Sequence, residues 1–272
     1  MESRTGFATV NGGRLHYEIA GTGPDVVLIH SAITDSRSWG PQFKQFAGLF
    51  RVLRYDLRGF GQSDVPHGQY SNVEDLRGVM DAAGIERAAM VGVSMGGGTA
   101  LDFTLEFPDR VMALALVASA VSGRSPSAEM QAKWKELEAR YEADGIDALV
   151  EGQLELWLYG KGRTAAEVDP DVREAVSLMV RHAIERYPDD AQPRKPERPA
   201  VERLGEVSVP TLVIVGDRDV DHTQEAARKL AAEIPGASLA IMKDVAHVPN
   251  MEKPEEFNRL VLGFLRTATT AS

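Results

Sequence analysis

Four stretches of this chain are almost unbroken apolar runs: "VVLI" at Val26–Ile29, "AAMVGV" at Ala88–Val93, "ALALVA" at Ala113–Ala118 and "TLVIVG" at Thr211–Gly216. A strand with one wet face alternates apolar and polar residues, whereas a strand covered on both faces has no polar side to show. These runs therefore predict a mostly parallel sheet with helices packed on both faces. Read the same way, the chain has eight strands: Gly6–Val10, Leu15–Ala20, Val26–His30, Val52–Asp56, Ala88–Val93, Ala113–Ala118, Thr211–Gly216 and Ser238–Met242. Helical patterns fill the gaps. The clearest is the last, where Phe257, Leu260, Val261, Phe264 and Leu265 recur at helical spacing behind Pro254, a residue tolerated in a first turn.

Between Val121 and Gly205 the strand pattern stops. Trp134, Leu137 and Tyr141 share one helical face, Val172, Val176, Met179 and Val180 share another, and "YPDDAQPRKPERPA" makes a proline-rich return. The reading is an α/β core formed by residues 1–120 and 206–272, with a helical cap inserted at 121–205. A chain of 272 residues with 43% hydrophobic content can bury one such core.

Composition narrows the function. A net charge of −10 argues against nucleic acid or an anionic membrane as partner, since both require clustered Lys and Arg. The longest apolar run, "VMALALVASAV", is too short to span a bilayer. The absence of cysteine removes disulfides, thiolate metal sites and cysteine nucleophiles, and it fits a reducing compartment. With "MESRTGFATV" lacking a secretory pattern, the expected location is cytoplasmic. His16, His67, His182 and His222 show no ligand spacing, so no metal is expected.

The strand at Ala88–Val93 runs into "GVSMGGG". A serine hydroxyl is a weak nucleophile unless a base takes its proton, and it must stand where a carbonyl can reach it. The G-x-S-x-G pattern meets the second need: Gly92 and Gly96 omit side chains that would collide across a sharp strand-to-helix turn, and Ser94 projects from the apex. The helix beginning at Met95 directs its free N–H groups and positive dipole end toward the same place. The glycine run lacks both the Lys-Ser/Thr ending of a P-loop and the spacing of G-x-G-x-x-G, so no nucleotide or other cofactor is expected. Downstream, "LVIVGDRDVDH" ends a strand in acids, and "MKDVAHVPNMEKPEEF" places His247 in the loop before the last helix. Serine, acid and histidine thus follow one another at the C-terminal ends of strands, where open α/β sheets bind ligands.

These pieces resemble the α/β-hydrolase superfamily over nearly the whole chain. The resemblance rests on "VVLIHSAITDSRSW", "RVLRYDLRGFGQSD", "GVSMGG", "VPTLVIVGDRD" and "AHVPNMEKPEEF", and among branches it looks like the 3-oxoadipate enol-lactonases and related small-ester hydrolases. It implies Ser94 as nucleophile, His247 as base and then acid, and Asp219 as the orienting carboxylate, with Asp217 the alternative. It also implies an oxyanion hole from the backbone N–H groups of Met95 and Ala32, although Ser31 stands where related enzymes have glycine. His30, Asp56, Arg58 and Ser63 are read as scaffold. Ser31, Trp39, Trp134, Trp157 and Tyr159 are the candidate pocket residues. The expected activity is hydrolysis of a small ester or lactone through an acyl-enzyme. C–C bond hydrolysis, perhydrolysis or acyl transfer with the same triad is the alternative chemistry. A ligand receptor without turnover is the alternative of another kind.

Overall fold

The computed structural model describes residues 2–270. Among the described residues ten strands form in chain order: β1 (Ser3–Val10), β2 (Gly13–Ala20), β3 (Asp25–Ile29), β4 (Arg51–Tyr55), β5 (Gln69–Tyr70), β6 (Ala88–Val93), β7 (Val111–Val117), β8 (Gln192–Pro193), β9 (Thr211–Gly216) and β10 (Ser238–Met242). Eight of them make one sheet in the order β1-β2-β4-β3-β6-β7-β9-β10, and β5 pairs separately with β8. β1 and β2 are antiparallel to each other, and β2 is antiparallel to β4. From β4 to β10 every neighbour is parallel. This is the eight-strand, mostly parallel sheet that the apolar runs predict.

The runs are continuous because successive side chains enter different cores. Val27, Ile29, Met90, Leu114 and Val213 belong to one apolar cluster, while their neighbours Val26, Leu28, Val91, Ala115 and Ile214 belong to the other. Helices α2 (Asn72–Ala82), α3 (Met95–Glu106) and α7 (Asp221–Glu233) close the first cluster through Leu76, Leu101 and Leu230. Helices α1 (Gly40–Phe46) and α9 (Pro254–Thr270) close the second through Phe46, Phe257, Val261 and Leu265, all fully buried. Each such side chain contributes roughly 1.5–3 kcal/mol by leaving water.

Three helices occupy the stretch between β7 and β9: α4 (Ala128–Asp144), α5 (Ile146–Gln153) and α6 (Pro170–Arg186). A single π-helical turn, Leu154–Tyr159, extends α5, and the short helix α8 (Pro249–Glu252) precedes α9. Val176, Met179 and Val180 are buried on α6, in keeping with their spacing. On α4 the expected shared face is split: Leu137 is buried, whereas Trp134 and Tyr141 are about half exposed. Among the described residues, no helix is long and apolar enough to cross a membrane.

Candidate active site

β3 has β4 on one side and β6 on the other, so the chain reverses its direction of growth across the sheet at this strand. The loops leaving β3 and β6 therefore diverge and open a crevice at their C-terminal ends. Ser94 follows β6, and the His30–Thr34 loop follows β3.

Ser94 has φ 54° and ψ −115°, a left-handed conformation that a residue with a side chain rarely adopts. The surrounding backbone enforces it. The Ser94 N–H donates to Val117 O at 2.8 Å, and Ser94 O accepts from the N–H groups of Gly98 and Ala120 at 2.9 and 3.0 Å. A Cβ on Gly92 would lie 2.4 Å from Gly96 O, and one on Gly96 would lie 2.4 Å from Ile29 O and 2.5 Å from His30 O. Both glycines are thus required by close backbone approach, and Gly96 presses the turn against the end of β3.

His247 Nδ1 lies 2.8 Å from Asp219 Oδ2, and Asp219 Oδ1 accepts the Val220 N–H at 2.8 Å. Asp219 is fully buried and His247 is 4% exposed. A carboxylate accepts only, so Nδ1 carries the proton and Nε2 is the free acceptor. Asp217 plays a structural part, since its Oδ1 accepts the Asp244 N–H at 2.7 Å and closes the turn after β10. The loops of Asp219 and His247 are brought together by Gly216, where a Cβ would meet Val245 O at 2.2 Å.

The π-helical turn joins this assembly from above. Trp157 O accepts the His247 N–H at 3.1 Å, and the indole packs on the imidazole with centroids 4.4 Å apart. The Lys161 N–H donates to Arg218 O at 2.7 Å. Arg163, nearly buried, donates to Leu158 O, Tyr159 O, Asp244 O and Glu252, whose other oxygen accepts the Ala246 N–H. Irregular turns of this kind occur often at functional sites.

Ser94 and His247 line one cavity of about 220 Å³. They are not hydrogen-bonded to one another in this structure; such contacts often tighten only in the complex with substrate. Ala32 and Ile33 form the wall from the β3 loop, and Trp134, Gln153 and Trp157 form it from α4, α5 and the π turn. Val180, Ala183 and Ile184 of α6 complete it. The backbone N–H groups of Ala32 and Met95 donate to no partner among the described residues. Ser31, at the position of the expected glycine, ties the loop instead: its N–H and Oγ both contact Thr34 Oγ1, at 3.2 and 2.9 Å.

Of the five pocket candidates, Trp134 and Trp157 lie on the wall. The other three do not. Trp39 is fully buried beside Phe257, because the short helical turn at Ser36–Trp39 directs its indole into the core. Tyr159 is buried with its hydroxyl donating to Glu151 at 2.9 Å, and Ser31 is occupied by Thr34. Gln153, Ile33, Val180, Ala183 and Ile184 are wall residues that sequence reasoning misses, since spacing along a helix shows a buried face without showing what that face covers.

The scaffold readings have physical counterparts. His30 is buried, its Nδ1 donates to Ser31 O at 2.8 Å, and its Nε2 accepts the Leu57 N–H at 2.9 Å. Burial holds its pKa below the ordinary histidine value, so it braces the loop as a neutral ring. Asp56 is buried, which alone would raise its pKa. Hydrogen bonds from His16, Gln62 and Ser36 outweigh this and hold it well below the usual carboxylate range. Arg58 pairs with Asp75, both buried, and Ser63 Oγ donates to Asp56 O. Among the described residues, no group of three or more His, Cys, Asp or Glu side chains could hold a metal ion.

A parallel sheet with a strained serine at its switch point and a buried histidine–aspartate pair opposite defines a recognised class. Residues 26–260 match the Alpha/beta hydrolase family, and the chain belongs to it. The 2-hydroxy-6-oxo-6-phenylhexa-2,4-dienoate hydrolase of Comamonas testosteroni is 30% identical over 266 residues, covering 93% of this chain and 91% of that protein. The structure of an enol-lactonase from Burkholderia xenovorans is similar at a TM-score of 0.79 and 32% identity, over 96% of this chain and 100% of the other. That of a thermophilic esterase from Thermogutta terrifontis is similar at 0.80 and 26%, over 97% and 99%.

Proposed function

We propose that this chain is a serine hydrolase that cleaves a small carboxylic ester or lactone through an acyl-enzyme. The observation carrying the reading is the 2.8 Å contact from His247 Nδ1 to buried Asp219, with the imidazole and Ser94 on one cavity wall. Ser94 Oγ attacks the substrate carbonyl carbon while His247 Nε2 takes its proton. Asp219 stabilises the imidazolium and keeps the ring in the required tautomer. The free N–H groups of Met95 and Ala32 receive the oxygen as it becomes charged. The imidazolium then protonates the leaving alcohol. Water, deprotonated by the same nitrogen, attacks the acyl carbon and releases the acid and Ser94. No cofactor enters the scheme.

A second reading is favoured by relatives. A 2-hydroxy-6-oxo-dienoate, the substrate named for the Comamonas testosteroni protein, contains no ester, so its hydrolysis breaks a C–C bond. The same serine, base and oxyanion donors serve that reaction. Purified protein tested against aryl esters, lactones and a vinylogous diketone dienoate separates the two readings, with Ser94→Ala as control. Ester or lactone turnover that vanishes in Ser94→Ala, with a fluorophosphonate labelling Ser94 alone, is expected. Turnover of the dienoate alone would transfer the assignment to C–C hydrolysis. Binding without turnover of any compound would make the protein a receptor.

A further inference from the structure

The cavity walls carry one titratable side chain, His247, and no lysine, arginine, aspartate or glutamate. Three arginines of neighbouring elements are committed elsewhere. Arg163 is held by Glu252 and three carbonyls, Arg186 donates to Ser63 O at 3.0 Å and to Gly61 O, and Arg181 pairs with Asp147. The chain as a whole carries a net charge of −10. One polar side chain other than Ser94 and His247 faces the space: Gln153, half-buried at the end of α5, whose amide makes no hydrogen bond within the described residues.

We propose that this site accepts only uncharged substrates, with a neutral hydrogen-bonding group of the acyl or alcohol part received by Gln153. The inference rests on the ester and lactone reading and names its substrate class. A carboxylate entering a space of about 220 Å³ would shed water against these walls. With the reacting carbonyl held at the Met95 and Ala32 N–H groups, a second, remote carboxylate would meet indole, aliphatic side chains and an amide in return. Desolvating an anion without a counter-charge is strongly unfavourable, and the field of an acidic protein adds to the penalty. An uncharged ester loses little on entry and gains contact with Val180, Ala183, Ile184 and the two tryptophans. Gln153 offers two donors and an acceptor, so it can serve an ether, carbonyl or hydroxyl group.

The test uses three p-nitrophenyl esters built on one six-carbon acyl chain: the hexanoate, the adipate monoester with a free carboxylate, and the adipate monoester capped as its methyl ester. Nitrophenol release at about pH 7.5, where the free carboxyl is ionised, gives kcat/KM for each. The anion is expected to fall about 100-fold or more below both neutral esters. Gln153→Arg is expected to shrink that ratio at least about tenfold by improving the anion. Near-equal values for all three in the wild type would overturn the inference while leaving the hydrolase intact. Calorimetric titration of Ser94→Ala with the same esters reads the preference without chemistry. If no ester is turned over, the hydrolase reading fails, and the titration still decides: tighter binding of the neutral pair supports the inference, and equal binding overturns it.

Discussion

Replacing Gly96 by alanine tests the claim that backbone closeness, and not glycine's flexibility, builds the turn around Ser94. The new Cβ would sit 2.4 Å from Ile29 O and 2.5 Å from His30 O, and both obstacles are backbone. Relief requires the end of β3 and the start of α3 to separate by at least about 0.6 Å. Overpacking of this kind costs about 1–3 kcal/mol, and the upper end applies because no side chain can rotate away. The displaced backbone carries Ala32, the candidate donor to the oxyanion. A misplacement approaching 1 Å at a reacting centre costs on the order of 100-fold in rate. Gly98→Ala is the internal control, since its Cβ would meet Ala120 Cβ at 3.3 Å and needs only a small adjustment. Urea unfolding and ester hydrolysis measured on both variants give the two numbers. Gly96→Ala is expected to lose about 2–3 kcal/mol and about 100-fold in kcat/KM, with Gly98→Ala near wild type in both. A Gly96→Ala protein within about 0.5 kcal/mol of wild type would refute the packing argument.

Three further substitutions address the acids. Asp219→Asn is expected to cut ester turnover by several orders of magnitude, because an amide can donate to Nδ1 and favour the wrong imidazole tautomer, while Asp217→Asn perturbs only a turn; the opposite ranking in stopped-time assays would reassign the triad. Asp102, packed against the segment after β7 and receiving the Ser122 hydroxyl at 2.6 Å, is pushed up to about 6, chiefly by burial. Its unfolded value is about 3.9, so the folded chain keeps a proton that the unfolded chain releases, and stability falls as pH rises through this window. Asp102→Asn retains an acceptor and removes the titration. Its urea stability should exceed wild type by on the order of 2 kcal/mol at pH 7.5, with the gap closing toward pH 4, and a pH-independent gap would dismiss the linkage.

The centre of the sheet is readable from sequence because its strands are covered on both faces, and Ala88–Val93 and Thr211–Gly216 have the predicted ends; so does the more exposed edge strand Ser238–Met242. The pairing of β5 with β8 is not, since two residues ending in Pro193 carry no strand pattern. Within the candidate site, Ser94 and His247 are legible because each sits in a motif near the end of a strand; Asp219 is chosen over Asp217 only by the resemblance, and the structure brings Asp219 and His247 together. The pocket is less so. Trp39 is a candidate pocket residue in the sequence, but the direction of its indole is set by a helical turn that the sequence pattern does not reveal. Gln153 escapes notice for the converse reason: a lone amide at a helix end acquires meaning only once α4, α6 and the π turn are docked around it.

The ties at Trp157, Lys161 and Arg163 bear on how this architecture can be recombined. An insertion joined to its host only by its two chain ends could be exchanged between relatives as a cassette. Here the residue that stacks on the imidazole, the amide that holds Arg218 O and the guanidinium that spans Leu158 O, Asp244 O and Glu252 all belong to the stretch between β7 and β9, while their outside partners belong to the loops after β9 and β10 and to α8. A chimera that swapped residues 121–205 alone would have to rebuild the contacts to His247 N–H, Arg218 O and Glu252. The transferable unit is therefore discontinuous in sequence, comprising the helices together with the two loops they clamp, and a graft that respects that boundary is the one that retains an ordered histidine.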